Sequence, residues 1–241
     1  MRLAWAHTRA ATIELARYPS FSVPTMLFPA VLFLVWGARA DVAANLAMAS
    51  YAAFAVLGVA FFQFGVGIAA ERASPWQVFL RILPASAAVR FAARIASALA
   101  FALGSATLVV VAASATTAVD LSPARWAALA VTLLAGGVPF ALLGIGIGYW
   151  LSPRGALPVA NLLFLSLAYL GGMLGGAQSV PESLAEVAPL LPMRLWGELL
   201  AASVGVGPWE AENAIGLAGY AAALALVAGW GYRRDEGERF R

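Results

Sequence analysis

Apolar residues run along this chain in long stretches, and the charged positions fall between them. Cutting the sequence at its charged residues leaves six uncharged runs, each of about 20 residues or more. A helix rises 1.5 Å per residue, so roughly 20 residues cross the hydrocarbon core of a bilayer. The pattern predicts an all-α membrane protein, a single transmembrane domain over residues 1–241 with six transmembrane helices. The predicted spans are residues 20–38, 46–70, 95–119, 126–151, 156–174 and 213–232.

The arginines predict the orientation of these spans. With the N-terminus in the cytoplasm, the outer segments carry only Arg39, Arg125 and Arg194, and the other arginines lie inside. Short cytoplasmic loops are enriched in basic residues, so both termini are predicted to be cytoplasmic. The lysine-free, alanine- and arginine-rich usage is typical of a GC-rich bacterial genome. We therefore expect a multi-pass protein of the bacterial inner (plasma) membrane.

The composition excludes several kinds of chemistry. Hydrophobic residues make up 62% of the chain and charged residues 11%, against roughly a quarter charged in an ordinary soluble domain. There is no cysteine, which excludes disulfides, thiolate catalysis and cysteine metal sites. Every basic residue is arginine, so the lysine-containing phosphate loop of an ATPase is absent. With His7 as the single histidine, we expect no enzyme activity, no catalytic residue, no metal site and no bound cofactor in this chain. The scattered arginines form no basic stripe for nucleic acid.

Residues 2–18 precede the first predicted span. Arg2 and Arg9 share one side of a helical projection, but Trp5 and Ile13 fall near the same side. Two interpretations therefore stay open: an interfacial helix along the inner leaflet, or a solvated N-terminal tail.

A short helix is predicted in the cytoplasmic loop between the second and third spans. Ser74 suits an N-cap and Pro75 the first helical position, and Pro84 ends the helix, which covers residues 75–83. Its apolar residues recur with helical spacing on one face, opposite Gln77 and Arg81. Such a face lies on the membrane, docks into a groove of a partner or folds against the chain's own spans. The apolar face consists of Trp76, Phe79, Leu80 and Leu83.

The outer segment between the fifth and sixth spans is acidic and rich in proline. It predicts two short helices over residues 179–202, interrupted at Pro189 and resumed at Pro192. Arg194 and Glu198 are four residues apart and are expected to pair. The segment is either a re-entrant hairpin or an amphipathic cap on the outer surface.

Glycine and polar residues inside the spans indicate packing more than chemistry. Gly144 and Gly148 form a small-xxx-small pair that lets two helices approach closely. Gln63 and Asn161 are polar positions within spans and are candidates to line a pathway. No ionised residue is central in any span, so a carboxylate relay for secondary transport lacks its main component.

The order of these segments resembles the permease subunit of type-2 ABC exporters over nearly the whole chain. The loop after the second span is similar to that family's coupling helix, and Pro181 through Trp196 is similar to its outer hairpin. Many members read Glu-Arg-Glu-x-Gly-Thr in the coupling loop, whereas this chain continues from Glu71-Arg72 with Ala-Ser-Pro-Trp. The residues matching the coupling helix are Glu71, Arg72, Pro75, Trp76, Phe79, Leu80, Arg81 and Leu83.

The resemblance implies a division of labour. Two permease chains, identical or different, enclose the pathway in the lipid membrane with their first, second and fifth spans, and separate ABC ATPase subunits bind ATP and Mg. The coupling helix contacts the ATPase, and the outer hairpin forms the gate of the pathway. Uncharged span faces favour a hydrophobic or amphipathic cargo, such as a drug or lipid. By the resemblance, the gate consists of Pro181, Glu182, Pro189, Pro192, Arg194, Trp196 and Glu198.

Two other functions remain as alternatives. A substrate-binding membrane component of a vitamin importer is also small and six-helical, but it requires convergent polar groups in its outer half. An ATP-independent scramblase or membrane enzyme requires a nucleophile, metal or acid–base pair within the spans. Co-purification with a separate ATPase distinguishes all three.

Overall fold

A computed structural model describes residues 19–40, 42–74, 87–174 and 187–238 of the chain. Regular structure in this part of the chain is helical throughout, which confirms the all-α prediction. Short 3-10 turns occur at Gly37–Arg39 and Ala188–Leu190. The helices are α1 Pro19–Val35, α2 Ala44–Arg72, α3 Ala87–Thr116, α4 Pro123–Trp150, α5 Pro153–Leu170, α6 Pro192–Ser203 and α7 Ala211–Glu238.

By length and composition, α2, α3, α4 and α7 each contain a stretch able to cross a membrane. A shorter apolar helix covers Val23–Arg39, and α5 has 18 residues that include Arg154. Four candidate spans in one chain make a multi-pass membrane protein, whereas the six-span layout stays a prediction. The predicted N-terminal helix at 2–18 lies outside the described residues.

Helix α3 begins earlier than the predicted third span, at Ala87 instead of residue 95. The added turns contain Arg90 and several alanines, and both residue types favour a helix. The uncharged run marks only the part that suits hydrocarbon, so the helix extends beyond it at the charged end.

Serine followed by proline starts two of the helices. At α4, Ser122 Oγ accepts a hydrogen bond from the backbone N–H of Arg125 at 3.4 Å, and at α5, Ser152 Oγ accepts one from Gly155 at 3.3 Å. Proline follows at the first helical position in both. Only Leu151 and Ser152 separate α4 from α5, so these helices meet in a tight turn.

Helix α2 is the core of the bundle. Of the apolar window in α2, 67% is buried inside the protein, against 17% in α7. Its middle, Ala60–Val66, is a π-helical segment that packs against α4 and α5. Helix α3 lies against α1 and α2, whereas α7 lies against α4 and α6. Large apolar side chains such as Leu162 and Leu226 are exposed on the outer helices, as expected of surfaces that face lipid or another membrane protein.

Candidate functional site

The C-terminal ends of α2, α4 and α7 meet at the end of the bundle that is predicted to face the cytoplasm, here termed the inner end. Arg72, the last residue of α2, donates from Nε to Asp235 Oδ1 at 2.8 Å, and its Nη2 lies 2.6 Å from the same oxygen. Its Nη1 donates to the backbone carbonyls of Gly148 at 2.9 Å and Leu151 at 3.4 Å. The inner junction is the name used here for Arg72, Gly148, Tyr149, Leu151 and Asp235. One arginine side chain therefore joins three helices.

The electrostatics of the inner junction favour the charged pair. The Asp235 side chain is 7% exposed and that of Arg72 is 25% exposed, so the carboxylate depends on its partner more than on water. The carbonyls that accept from Nη1 belong to the C-terminal end of α4, where the helix dipole favours a cation. The Arg72 guanidinium also lies 5.7 Å from the centre of the Tyr149 ring.

Close packing of α2 on α4 brings Arg72 to this position. A Cβ atom at Gly148 would lie 2.6 Å from Ile68 Cβ, and one at Gly144 would overlap the carbonyl oxygen of Ala60. Only glycine allows such an approach, so the predicted packing role of this pair is confirmed. Arg72 follows Ile68 by one helical turn and therefore reaches the carbonyl of Gly148.

The neighbouring residue of the coupling segment, Glu71, pairs with Arg94 of α3. Its side chain is 49% exposed and that of Arg94 is 23% exposed, so solvent screens this pair more than the pair at the inner junction. The two charged residues at the end of α2 therefore have different partners. Glu71 connects to α3, whereas Arg72 connects to α4 and α7.

Aromatic residues extend the contact between α4 and α7 beside the inner junction. The rings of Trp150 and Trp230 meet edge to face with centroids 4.8 Å apart, and Trp150 Nε1 donates to the carbonyl of Val227 at 3.2 Å. The Arg234 guanidinium lies 5.3 Å from the Trp150 ring centre. Amphipathic rings of this kind are typical of the membrane–water interface. They fit the predicted depth of the inner end.

At the opposite end of the bundle, Trp196 fixes α6 to α4. Its side chain is fully buried, and its ring stacks on Phe140 with centroids 5.3 Å apart. Nε1 donates to the carbonyl of Thr132 at 2.9 Å, and the ring lies over Gly136, where a Cβ would overlap it. We call this group the outer anchor. It makes the described half of the predicted hairpin a packed part of the bundle.

A polar cluster continues from the outer anchor. Arg194 Nε donates to Glu198 Oε1 at 2.9 Å, which confirms the predicted pair. The other oxygen, Oε2, accepts from the buried Asn213 of α7 at 2.9 Å. These three residues are the outer polar cluster. Arg194 and Glu198, with the start of α2 and residues 171–174 after α5, line a partly open pocket of about 120 Å³.

The two candidates for pathway lining lie in different surroundings. Gln63 sits in the π-helical segment, and its Nε2 is buried with no hydrogen-bond partner among the described residues. Asn161 is on an exposed face of α5, and its Nδ2 donates to the carbonyl of Leu157 at 3.1 Å. Neither role is tested by this geometry, and both remain predictions.

The structure brings together only part of the residue sets predicted from the sequence. Glu71 and Arg72 are adjacent at the inner end. Five residues of the predicted hairpin lie at the outer end, namely Pro189, Pro192, Arg194, Trp196 and Glu198. The other predicted site residues fall outside the described residues. They are Pro75, Trp76, Phe79, Leu80, Arg81 and Leu83 of the coupling helix, and Pro181 and Glu182 of the hairpin.

Two residues of these clusters, Asp235 and Asn213, were not found from the sequence. Asp235 stands in a run of charges after the last span, and no spacing distinguishes it from the neighbouring Glu236 and Glu238. Asn213 is a single amide at the start of α7, with no motif around it. Within 19–40, 42–74, 87–174 and 187–238, no group of three or more His, Cys, Asp or Glu residues is placed to hold a metal ion.

Comparison with known proteins identifies one relative of interest. The chain is 26% identical over 161 residues to the Bacillus subtilis (strain 168) protein named "Putative transport permease YvfS". The aligned region covers 67% of this chain and 62% of the relative, so the chain spans less than two thirds of that protein's length. No protein-family model matches the chain. No solved structure matches it.

This similarity agrees with the segment order and with the apolar helices. The relative carries the name of a transport permease, and the chain resembles ABC permease subunits in its loop after the second span and in its outer segment. The findings support the conclusion that the chain is similar to an ABC-type transport permease subunit.

Proposed function

We propose that this protein is the membrane-spanning permease subunit of an ATP-driven ABC exporter, powered by a separate ATPase subunit and working together with a second permease chain. The observation that carries the proposal is the origin of the predicted coupling helix. Residues 75–83 follow directly from the end of α2, the most buried of the candidate spans. A force applied to that loop therefore acts on the centre of the bundle.

The proposed mechanism follows from this connection. ATP binding closes the ATPase dimer, and the apolar face around Trp76 sits in a groove of the ATPase with Arg81 at the polar rim. Closure moves the coupling helix and with it α2, which shifts the packing of α4 and α5 against the π-helical segment. Only a difference in ATP affinity between the closed and open states drives the change, so a loose coupling helix uncouples hydrolysis from transport.

The cargo class follows from the surfaces that the spans offer. Exposed large side chains on the described faces of the first and fifth predicted spans, α1 and α5, are apolar, as in Leu27 and Leu165. A pathway formed by such faces accommodates a hydrophobic or amphipathic molecule better than a small hydrophilic one. A transport assay that moved only small hydrophilic solutes would contradict this cargo class.

The coupling role is tested in the purified complex of this chain with its ATPase in lipid nanodiscs. Trp76→Ala and Arg81→Glu are each expected to weaken the complex and to lower ATP hydrolysis by the bound ATPase, with membrane insertion unchanged. Trp209→Ala is the matched control, because Trp209 is 64% exposed between α6 and α7. Unchanged binding and hydrolysis in both variants would remove residues 75–83 from the interface.

A further inference from the structure

We propose that Asp235 is a positioning residue that works through Arg72 to hold the inner ends of α2, α4 and α7 together, so that a displacement of the coupling loop is passed on to α4 and α7. The inference rests on the proposed function for its source of motion. We call this arrangement, in which Arg72 binds Asp235 and the carbonyls of Gly148 and Leu151, the clamp. The clamp itself is inferred from contacts within this chain. Asp235 lies 163 positions from Arg72 in the sequence, and no motif connects the two residues.

The clamp uses the whole guanidinium group. Nε and Nη2 face the same carboxylate oxygen of Asp235, and Nη1 faces the carbonyls of Gly148 and Leu151. The planar fork of arginine fixes these directions at once, whereas a lysine ammonium has no comparable geometry. A rotation of the end of α2 therefore acts on α4 and on α7 through one rigid group.

The ion pair supplies a contact that apolar packing does not. Helix α7 makes its extensive contacts with α4 and α6, and it does not pack along α2. The pair between Arg72 and Asp235 reaches across from α7 to α2 directly. Without it, motion of α2 reaches α7 indirectly, through helix α4, which packs against both.

Burial sets how firmly each charged residue of α2 holds its partner. Separating Asp235 from Arg72 takes the ion pair away from a carboxylate that is only 7% exposed, where water compensates little for the loss. Separating Glu71 from Arg94 affects a carboxylate that is 49% exposed, where water compensates for much of the loss. Of the two ion pairs at the end of α2, the one to α7 is therefore the more firmly held and the one to α3 the less firmly held. This asymmetry selects the helices that follow the coupling loop.

Spin-label distances test the clamp, since the chain contains no cysteine that would compete for the label. Ala70→Cys marks an exposed position of α2, and Gly229→Cys marks α7 at a point where an added Cβ meets nothing within 4 Å. In the isolated chain in nanodiscs we expect a narrow distance distribution. Asp235→Ala is expected to broaden it, Asp235→Glu to restore it, and the control Arg233→Ala to leave it unchanged.

A second arm uses the complex with the ATPase, trapped with ADP and vanadate. If the clamp transmits motion, α2 and α7 move together, and trapping changes the distance between positions 70 and 229 by no more than about 1–2 Å, the shift typical of a packed helix. In the Asp235→Ala variant, we expect trapping to change this distance by more. A large change in the otherwise unaltered chain would overturn the transmission role. If no ATPase associates, the proposed function fails, and the isolated chain still decides whether the clamp exists.

Unfolding of the double variant separates positioning from simple stabilisation. Arg72→Ala combined with Asp235→Ala removes the guanidinium charge that Asp235→Ala alone leaves without its carboxylate, so stability is expected to recover relative to Asp235→Ala. The distance distribution is expected to remain broad, because no contact replaces the pair. Recovery of both the stability and the narrow distribution would show that Asp235 has a structural role only and would contradict the proposal.

Discussion

The two ends of the bundle are stabilised by different kinds of contact between helices. At the inner end, the inner junction joins α2, α4 and α7 by charge, through residues far apart in the sequence. At the outer end, the outer anchor joins α6 to α4 by a fully buried ring, and the ion pair of the outer polar cluster is local, between residues four apart on α6. The inner end adds a long-range ion pair to the aromatic contacts between α4 and α7, whereas the outer end combines a fully buried ring with an ion pair that is local to one helix.

This difference teaches which parts of the protein move together. Because Trp196 is enclosed by Gly136, Phe140 and the carbonyl of Thr132, α6 follows α4. The inner junction gives α4 and α7 a connection to the end of α2. If the outer segment acts as the proposed gate, we expect its α6 part to move together with α4.

The largest expected effect is the loss of the outer anchor. Trp196→Ala removes a fully buried ring and leaves the Thr132 carbonyl without its donor, so we expect a loss of about 3–5 kcal/mol in stability. Thermal unfolding in detergent measures it. Trp209→Ala, which removes a ring that is 64% exposed, is the control and is expected to stay within about 0.5 kcal/mol of the parent. Equal effects would mean that α6 is not packed as described.

The next effect concerns the glycine contact that positions Arg72. Gly148→Ala places a Cβ 2.6 Å from Ile68 Cβ and 2.9 Å from the Phe64 carbonyl oxygen, so α2 and α4 have to separate. We expect a loss of about 1–3 kcal/mol from overpacking. Gly219→Ala in α7 meets nothing within 4 Å and is expected to be neutral or to stabilise by up to about 1 kcal/mol. A tolerated Gly148→Ala would contradict the close approach of the two helices.

A comparable loss is expected when the inner junction loses its acid. Asp235→Ala leaves Arg72 without its counter-ion, and because the Arg72 side chain is 25% exposed, water compensates in part. We expect a loss of about 1–3 kcal/mol in stability, measured by the same unfolding assay. A smaller loss of stability in Asp235→Ala than in Arg194→Ala would contradict the account, because the ion pair at the inner end would then contribute less than the local pair at the outer end.

The smallest effect is expected at the outer polar cluster. Arg194→Ala breaks a local pair whose side chains are 26% and 38% exposed, and such pairs contribute less than about 1 kcal/mol. Asn213→Ala tests the connection from Glu198 to α7 separately. If Arg194→Ala cost as much as Trp196→Ala, aromatic packing would not be the main attachment of α6.

Local signals predicted the elements better than their connections. Uncharged runs placed the apolar helices, Ser-Pro pairs at 122–123 and 152–153 start helices as the same pattern predicts at 74–75, and the spacing of Arg194 and Glu198 gave their pairing. Each of these depends on residues a few positions apart. A single sequence contains them completely.

The missed features depend on contacts across the bundle. The π-helical segment at 60–66 is made of ordinary apolar residues with one glutamine, and nothing in their order distinguishes it from an α-helix. Arg72 pairs with Asp235 because α4 packs against both α2 and α7 and brings their ends together. The spacing of residues along the sequence does not predict this contact. For the same reason the sequence grouped Arg72 with the residues that match the coupling helix and gave no sign of the partners within the chain that its guanidinium contacts.

The most direct test of the account is ATP hydrolysis by the chain purified alone and with its ATPase in nanodiscs. The account predicts no hydrolysis by the isolated chain, because the chain has no lysine for a phosphate loop, and hydrolysis by the complex that falls with Trp76→Ala or Arg81→Glu. Hydrolysis of ATP by the isolated chain, or a complex indifferent to residues 75–83, would contradict it.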